Sequence, residues 1–236
     1  MKPLTVQKVL FSWSSGKDSA LALYKLQQKD GLEISALLTT LTEEYGRVSI
    51  HGVNEILLAQ QADAVGLELE KLFIPKKCSN EDYERLMRRM LEKYSEKGVS
   101  ATVFGDIFLE DLRKYRTEKL SLIDMDALFP LWGQDTGELA EEFVALGFKA
   151  IITCVDMKFL DKKFTGREFD RKFLSELPDS VDPCGENGEF HTFVCDGPIF
   201  PEPIPYRKGR ILLREERFSY CDLIPLQNGH VSNGEI

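Results

Sequence analysis

The chain has 236 residues, of which 43% are hydrophobic and 29% charged, as is typical of a globular protein with one large or two small domains. Its net charge of −9 argues against general binding to a nucleic-acid backbone, because such binding needs clustered Lys and Arg side chains. The five scattered cysteines form no CxxC pair, so they give no support to a zinc or iron–sulfur site and suit a reducing compartment.

The ends and the apolar runs of the chain indicate its location. The N-terminus lacks a signal-peptide pattern, and its apolar run at residues 9–11 is far too short to span a membrane. We therefore expect a cytoplasmic protein without a membrane partner. The net charge disfavours a nucleic-acid partner, and the sequence is compatible with a homodimer.

Strands and helices alternate along the first half of the chain. Short apolar runs predict strands at residues 9–13, 33–40, 67–74 and 101–104. Helical spacing predicts helices at residues 20–28, 53–65 and about 79–97. This alternation predicts an α/β, Rossmann-like parallel sheet with helices on both faces, whose ligands lie beyond the carboxyl ends of the strands.

Two details of these helices are specific enough to test. Ser79 and Asp82 predict a capping box at the start of the third helix. The second helix is expected to place one set of residues on a single side: Val53, Ile56, Leu57 and Gln60.

The second half of the chain is less regular. Strands are predicted at residues 127–129, 151–155 and 190–194, and a helix at 136–146, before glycines and prolines become frequent from 178 to 205. We expect a boundary near Pro130, which gives a first domain at residues 1–130 and a smaller α+β subdomain at 131–236.

The loop after the first predicted strand has the composition of an anion-binding turn. Its sequence is Ser14-Ser15-Gly16-Lys17-Asp18-Ser19. Small residues let backbone N–H groups turn toward a ligand, and the N-terminus of the next helix adds partial positive charge. An empty, capped strand-to-helix turn is the alternative. The loop is not a Walker A motif, because Phe11 and Asp18 occupy two of that motif's required positions.

A second segment, residues 182–194, combines carboxylates, a thiol and an imidazole between glycines. Such density in a loop with glycine hinges is typical of a functional site, although a glycine-rich turn into a strand explains the composition equally well. Its candidate residues are Cys184, Gly185, Glu186, Asn187, Gly188, Glu189, His191 and Thr192.

The first loop resembles the PP-loop, Ser-Gly-Gly-x-Asp-Ser, of the ATP pyrophosphatases, which belong to the adenine nucleotide alpha-hydrolase-like proteins. Ser15 stands where that family usually has Gly, and we expect serine to be tolerated if its φ is negative. Residues 185–193 resemble the Gly-Glu-x-Gly-Glu-aromatic-x-Thr-Phe signature of the diphthine–ammonia ligase family.

Further matches extend this resemblance over about residues 9–200. They lie at residues 105–107, 113–116, 130–133 and 196–200. His191 departs from the archaeal and eukaryotic enzymes, which have Glu at that place, and this suggests a bacterial branch with a different substrate.

The resemblance implies a HUP-type fold, with ATP in the first domain and substrate in the C-terminal subdomain. It implies that ATP lies on residues 14–19, with further contacts from Thr39, Gly105 and Asp106. Asp18 would hold Mg²⁺, and Asp106 a magnesium ion or the ribose. Catalytic roles fall to Lys17, Asp18, Glu186 and Glu189.

Several single residues have competing explanations. Arg113 and Arg116 lie on a predicted helix whose charges are ordinarily solvated, but the resemblance favours contact with the substrate. His51 is expected either to contact a ligand or to cap the next helix. We interpret Cys184 as lining the substrate pocket rather than as a nucleophile, and His191 as facing substrate or solvent.

The implied activity is an ATP-dependent amide ligase. A substrate carboxylate is activated as an acyl-adenylate with release of pyrophosphate, and ammonia then displaces AMP. Two alternatives remain: a PP-loop enzyme that modifies tRNA, disfavoured by the acidic charge and the lack of CxxC, and a non-catalytic regulatory protein that binds adenine nucleotides.

Overall fold

The structure is a computed structural model that describes residues 6–44, 47–48 and 52–226. The first half of the described chain alternates strand and helix, as predicted. Its strands are β1 (Gln7–Ser12), β2 (Leu32–Thr42), β3 (Arg47–Val48), β4 (Leu69–Ile74), β5 (Val99–Val103) and β6 (Asp126–Leu128). Its helices are α1 (Lys17–Gln27), α2 (Glu55–Val65), α3 (Asn80–Ser95) and α4 (Glu110–Ser121).

These strands form one mostly parallel sheet with β1 at its centre. β1 pairs in parallel with β2 and β5, β2 with β4, and β5 with β6, whereas the short β3 pairs antiparallel with the end of β2. Alternate residues of β1 enter different cores: Val9 and Phe11 pack with residues of α1 and α2, and Leu10 packs with residues of α3 and α4. Helices therefore cover both faces, which confirms the predicted fold class.

The second half forms a separate antiparallel sheet. Its elements are α5 (Thr136–Ala145), β7 (Lys149–Asp156), a 3₁₀ turn (Lys162–Phe164), α6 (Arg171–Ser175), β8 (Phe190–Asp196), β9 (Tyr206–Arg214) and β10 (Phe218–Pro225). The strand order is β8-β7-β10-β9. The segments of this half missed from the sequence are the 3₁₀ turn, α6, β9 and β10. The proposed boundary at Pro130 lies in the connection from β6 to α5 and stays a prediction.

One hydrophobic core joins the two sheets. It contains Phe11 of β1, Ile151 of β7 and Phe193 of β8, all fully or almost fully buried. An ion pair also crosses between the sheets, with Nη2 of Arg47 2.8 Å from Oδ1 of Asp222. The first turn of α1 is thus held between the parallel sheet and β8.

The capping of α3 is as predicted, but the residues expected together on one side of α2 differ in burial. The backbone N–H of Asp82 donates to Oγ of Ser79 at 3.1 Å, which confirms that cap. On α2, Ile56 is 56% exposed whereas Gln61 is fully buried, so the residues expected on one side do not form a common buried side. The helix is capped by Asn54, and this start turns Leu57, Leu58, Gln61 and Ala62 toward the core.

No helix in the described ranges is both long and apolar enough to cross a membrane.

Candidate active site

The PP-loop, residues 14–19, bends sharply between β1 and α1. Ser15 has φ = +69°, in the left-handed region that residues other than glycine seldom adopt, so the condition under which serine was expected to be tolerated is not met. The reason is geometric: the chain leaves a buried strand and starts a helix at Lys17 within four residues. Glycine at this position in the related loops meets the same requirement without strain.

The helix start lies inside the predicted loop, so Lys17, Asp18 and Ser19 belong to the first turn of α1. Gly16 is the N-cap residue and provides no capping side chain. Ser14 Oγ donates to Ser19 Oγ at 3.1 Å, and Ser19 Oγ donates to the carbonyl of Gly16 at 2.9 Å. An uncapped helix start with nearby hydroxyls can bind an anion.

Lys17 is held inside the molecule rather than directed to solvent. Its side chain is 3% exposed, and its Nζ lies 2.6 Å and 2.8 Å from the two carboxylate oxygens of Asp18, which is 30% exposed. The ammonium also lies 5.7 Å from the ring centroids of Phe169 and Phe190. Burial alone would lower the pKa of Lys17, but the Asp18 and Glu186 carboxylates outweigh it and raise that pKa. Lys17 is therefore a buried, fixed positive charge.

β8 reaches the PP-loop directly. Thr192 Oγ1 accepts the backbone N–H of Lys17 at 3.0 Å, and the backbone N–H of Val194 donates to the carbonyl of Ser15 at 3.0 Å. The amide of Lys17 thus serves this contact, contrary to the expectation that the loop's N–H groups turn toward a ligand. The two sequence motifs form one structural unit.

The signature loop, residues 182–189, is organised by its own carboxylates. Glu189 is 2% exposed and accepts the N–H of Asp182 at 3.1 Å, the N–H of Asn187 at 3.0 Å and Nδ2 of Asn187 at 3.0 Å. Asp182 accepts the N–H groups of Cys184 at 3.1 Å and Glu186 at 2.9 Å. Gly185 has φ = +67°, and a Cβ there would lie 2.9 Å from the carbonyl oxygen of Phe190.

Glu186, by contrast, points out of this loop toward the parallel sheet. Its Oε1 accepts the backbone N–H of Ile107, just beyond β5, at 2.8 Å. Burial raises the pKa of Glu186 to about 7, an effect opposed by the Ile107 N–H and increased by the charge of Asp18. A carboxylate with this pKa can accept or donate a proton at neutral pH.

Residues 105 and 106 continue the site along the same edge of the sheet. A Cβ at Gly105 would lie 3.0 Å from backbone atoms of Asp18 and Ser19, so glycine allows this loop to pack against α1. Asp106 lies 3.2 Å from Nε of Arg116 on α4. Burial raises the pKa of Asp106, the Arg116 charge opposes the rise, and Asp18 adds to it.

A cleft of about 760 Å³ opens beside the PP-loop between α3 and α4. Its lining includes the polar residues Ser12, Ser14, Thr39, Thr40 and Arg116 and apolar side chains such as Met87, Leu91 and Leu120. Thr39 Oγ1 also donates to the carbonyl of Trp13 at 2.6 Å, which fixes β2 to the start of the loop. The volume suits a nucleoside, and Ser14 of the PP-loop is part of the lining.

The other predicted residues divide between the site and its surroundings. Arg113 stacks on Trp132, with 4.5 Å from its guanidinium carbon to the ring centroid, and does not line the cleft. Cys184 donates its thiol to the carbonyl of Thr136 at 3.3 Å, and burial raises its pKa to about 12, which fits a packing residue and not a thiolate. His191 is half-buried on β8, and His51 lies outside the described residues.

Gln61, which is buried on α2 and hydrogen-bonded to the PP-loop, was not predicted from the sequence. The only signal in the sequence was a glutamine next to apolar residues of an amphipathic helix. It was overlooked because the side of the helix chosen from the sequence contained Gln60 instead. The two phenylalanines beneath Lys17, Phe169 and Phe190, were missed because their proximity depends on the second sheet.

The side chains described do not fit a magnesium ion held by protein alone. Both oxygens of Asp18 already contact Nζ of Lys17. Within the described ranges, no group of three or more His, Cys, Asp or Glu side chains is arranged to hold a metal.

Comparison with known proteins assigns both halves of the chain. Residues 7–121 match the family model described as the diphthamide synthase N-terminal domain, and residues 135–222 match the diphthamide synthase C-terminal domain. Among solved structures, a predicted subunit of tRNA methyltransferase from Methanocaldococcus jannaschii has 17% identity and a TM-score of 0.43, covering 84% of this chain and 100% of that one.

Curated relatives are named diphthine–ammonia ligase. The Bos taurus protein is 31% identical over 54% of this chain and 50% of its own length. The Danio rerio protein is 26% identical over 80% of this chain and 77% of its own length. The chain spans about half the length of the cattle and human relatives that it matches. The matches to both domain models, which together cover most of the sequence, place this chain in the diphthine–ammonia ligase family.

Proposed function

We propose that this protein is an ATP-dependent ligase that converts a substrate carboxylate into an amide with ammonia. The observation that carries the proposal is the position of Glu186. It comes from the signature loop, yet it binds the N–H of Ile107 at the carboxyl edge of the parallel sheet, near Lys17 and Asp18. A group able to exchange protons therefore lies beside the loop expected to bind phosphate.

ATP would lie across the carboxyl edge of the sheet. We assign the adenosine to the cleft between α3 and α4, whose lining includes Thr39 and Arg116. The triphosphate then extends over Ser14, Gly16 and the first turn of α1. The partial positive charge of the helix start, together with the buried ammonium of Lys17, favours the negative charge of departing pyrophosphate.

In the first step, an oxygen of the substrate carboxylate attacks the α-phosphorus of ATP. The bond to the β-phosphate oxygen breaks, so the products are an acyl-adenylate and pyrophosphate. Mg²⁺ would enter together with ATP, because both oxygens of Asp18, the carboxylate expected to hold the ion, already contact Lys17. Release of pyrophosphate leaves AMP as a good leaving group on the acyl carbon.

In the second step, ammonia attacks the acyl carbon and AMP departs. The nitrogen must lose a proton, and we assign its acceptance to Glu186, whose pKa is raised to about 7 by burial. Glu189 is unsuited to this role because both of its carboxylate oxygens accept hydrogen bonds from the loop that contains it. We therefore propose a positioning role for Glu189.

The test is to measure pyrophosphate and AMP across a panel of carboxylates, with ammonium or glutamine as the nitrogen source. Stoichiometric release of both products, dependent on carboxylate and nitrogen source, is expected from the wild type. ATP binding without pyrophosphate release for any carboxylate would instead support a regulatory nucleotide-binding protein. Tight, salt-sensitive retention of tRNA on a filter would support a tRNA-modifying enzyme.

A further inference from the structure

Gln61 on α2 is fully buried, and the proposed chemistry does not require it. Each polar atom of its side chain is nevertheless hydrogen-bonded. Nε2 donates to the carbonyls of Ser15 at 3.2 Å and Val194 at 2.6 Å, and Oε1 accepts the indole N–H of Trp13 at 3.0 Å. One amide thus joins the end of β1, the PP-loop and β8.

These contacts converge on the strained residue of the loop. Ser15 has φ = +69°, a conformation that a side chain other than glycine keeps only when its surroundings impose it. Its carbonyl accepts two donors, Gln61 Nε2 and the backbone N–H of Val194. With β1 and α1 fixed in the core, a negative φ would turn this carbonyl away from its donors.

The Ser15 side chain does not provide the restraint. Its hydroxyl is fully buried and has no hydrogen-bond partner among the residues that the structure describes. The backbone carbonyl is therefore the group through which the surroundings hold this turn.

We propose that Gln61 is a positioning residue for ATP. Together with the N–H of Val194, it holds the Ser15 peptide in the left-handed conformation that places Ser14 and the start of α1 beside the phosphates. The inference rests on the proposed function, because it assigns ATP to this loop. It also gives β8 a second role: the strand that follows the signature loop helps to shape the nucleotide loop.

The test is a double-mutant cycle with Gln61→Leu and Ser15→Gly, read out as the dissociation constant of a non-hydrolysable ATP analogue by titration calorimetry. Leucine removes the three hydrogen bonds and keeps a buried side chain of similar size. Glycine adopts a positive φ without support from its surroundings, so the hydrogen bond from Gln61 should matter less in the Ser15→Gly background. Gln60→Leu on the same helix is the matched control, because Gln60 bonds the carbonyl of Leu226 and not the PP-loop.

We expect Gln61→Leu to weaken binding at least about 10-fold, and the same change in the Ser15→Gly background to weaken it less than about 3-fold. Gln60→Leu should change binding less than about 2-fold. The melting temperatures of the ligand-free variants are measured in parallel. If Gln61 only packs in the core, Gln61→Leu should lower the melting temperature, and Ser15→Gly should not restore the affinity for the ATP analogue.

Normal binding by Gln61→Leu, or the same loss in both backgrounds, overturns the inference. If Gln61→Leu does not fold, Gln61→Met takes its place in the cycle with the same expectations. A wild-type chain that fails to bind the analogue overturns the proposed function and this inference with it. Normal wild-type binding with an unaffected Gln61 variant overturns the inference alone.

Discussion

The two loops of the site keep their shapes by opposite means. The signature loop, residues 182–189, is held by its own carboxylates, since Asp182 and Glu189 accept N–H groups from within it. The PP-loop is held from outside, by Thr192 and Val194 of β8 and by Gln61 of α2. The PP-loop has internal hydrogen bonds between Ser14, Gly16 and Ser19 as well, but the carbonyl of Ser15 is held by groups from β8 and α2.

The same contrast separates two glutamates within the signature loop. Glu189 is turned inward and satisfies backbone donors, whereas Glu186 is turned outward and reaches Ile107. Two carboxylates three positions apart therefore divide structure and chemistry between them. The four substitutions below, two in the signature loop and two in the PP-loop, test both contrasts, from the largest expected effect to the smallest.

Glu186→Gln should reduce product formation by about 100- to 10,000-fold, because the amide cannot accept the proton of the attacking nitrogen. ATP affinity should stay close to that of the wild type. In the wild type, kcat should rise with pH as the Glu186 carboxyl, whose pKa is raised to about 7, loses its proton. This limb near pH 7 should be absent from the profile of the variant. Wild-type turnover by Glu186→Gln would refute the assignment.

Glu189→Ala should destabilise the fold by about 3 kcal/mol, because the N–H of Asp182 and two donors of Asn187 lose their acceptor. Chemical denaturation measures the free energy of unfolding, and Glu202→Ala at an exposed position is the control. A stable, correctly folded Glu189→Ala protein with abolished chemistry would instead make Glu189 a catalytic group.

Lys17→Ala should weaken ATP binding or turnover by at least about 10-fold, or about 1.4 kcal/mol, since it removes a buried positive charge beside the expected phosphates. The change also leaves Asp18 without its cation, which adds to repulsion of the triphosphate. Lys29→Ala, at an exposed position just beyond the end of α1, controls for general loss of charge. An unchanged rate in Lys17→Ala would remove the phosphate role.

Ser15→Gly should stabilise the ligand-free protein by about 1 kcal/mol, because glycine accepts φ = +69° and removes a buried hydroxyl without a described partner. For a chain of this size the melting temperature should rise by about 2–4 °C. Differential scanning calorimetry measures the change. A fall in melting temperature would show that the Ser15 hydroxyl contributes to the fold.

Much of the parallel half was predictable from the sequence because its elements are local. Apolar runs gave the parallel strands, and Ser79 with Asp82 marked the start of α3. The shifted face of α2 and the strands β9 and β10 were not predicted. β9 carries exposed Ile211, Leu212 and Leu213 beside basic residues, so it lacks the alternation that marks a half-buried strand.

Within the site, the sequence identified the two loops but not the contacts that join them. The opposite orientations of Glu186 and Glu189 depend on which backbone N–H groups lie nearby. The positive φ of Ser15 and the contacts of Gln61 depend on β8, which lies more than one hundred residues further along the chain. Such long-range hydrogen bonds leave no local pattern from which they could be predicted.

The most direct measurement is a crystal structure of the chain with a non-hydrolysable ATP analogue. We predict the adenosine in the cleft between α3 and α4 and the phosphates against residues 14–19, with the Glu186 carboxyl on the same side. An analogue bound elsewhere, with the turn after β1 vacant, would contradict the account.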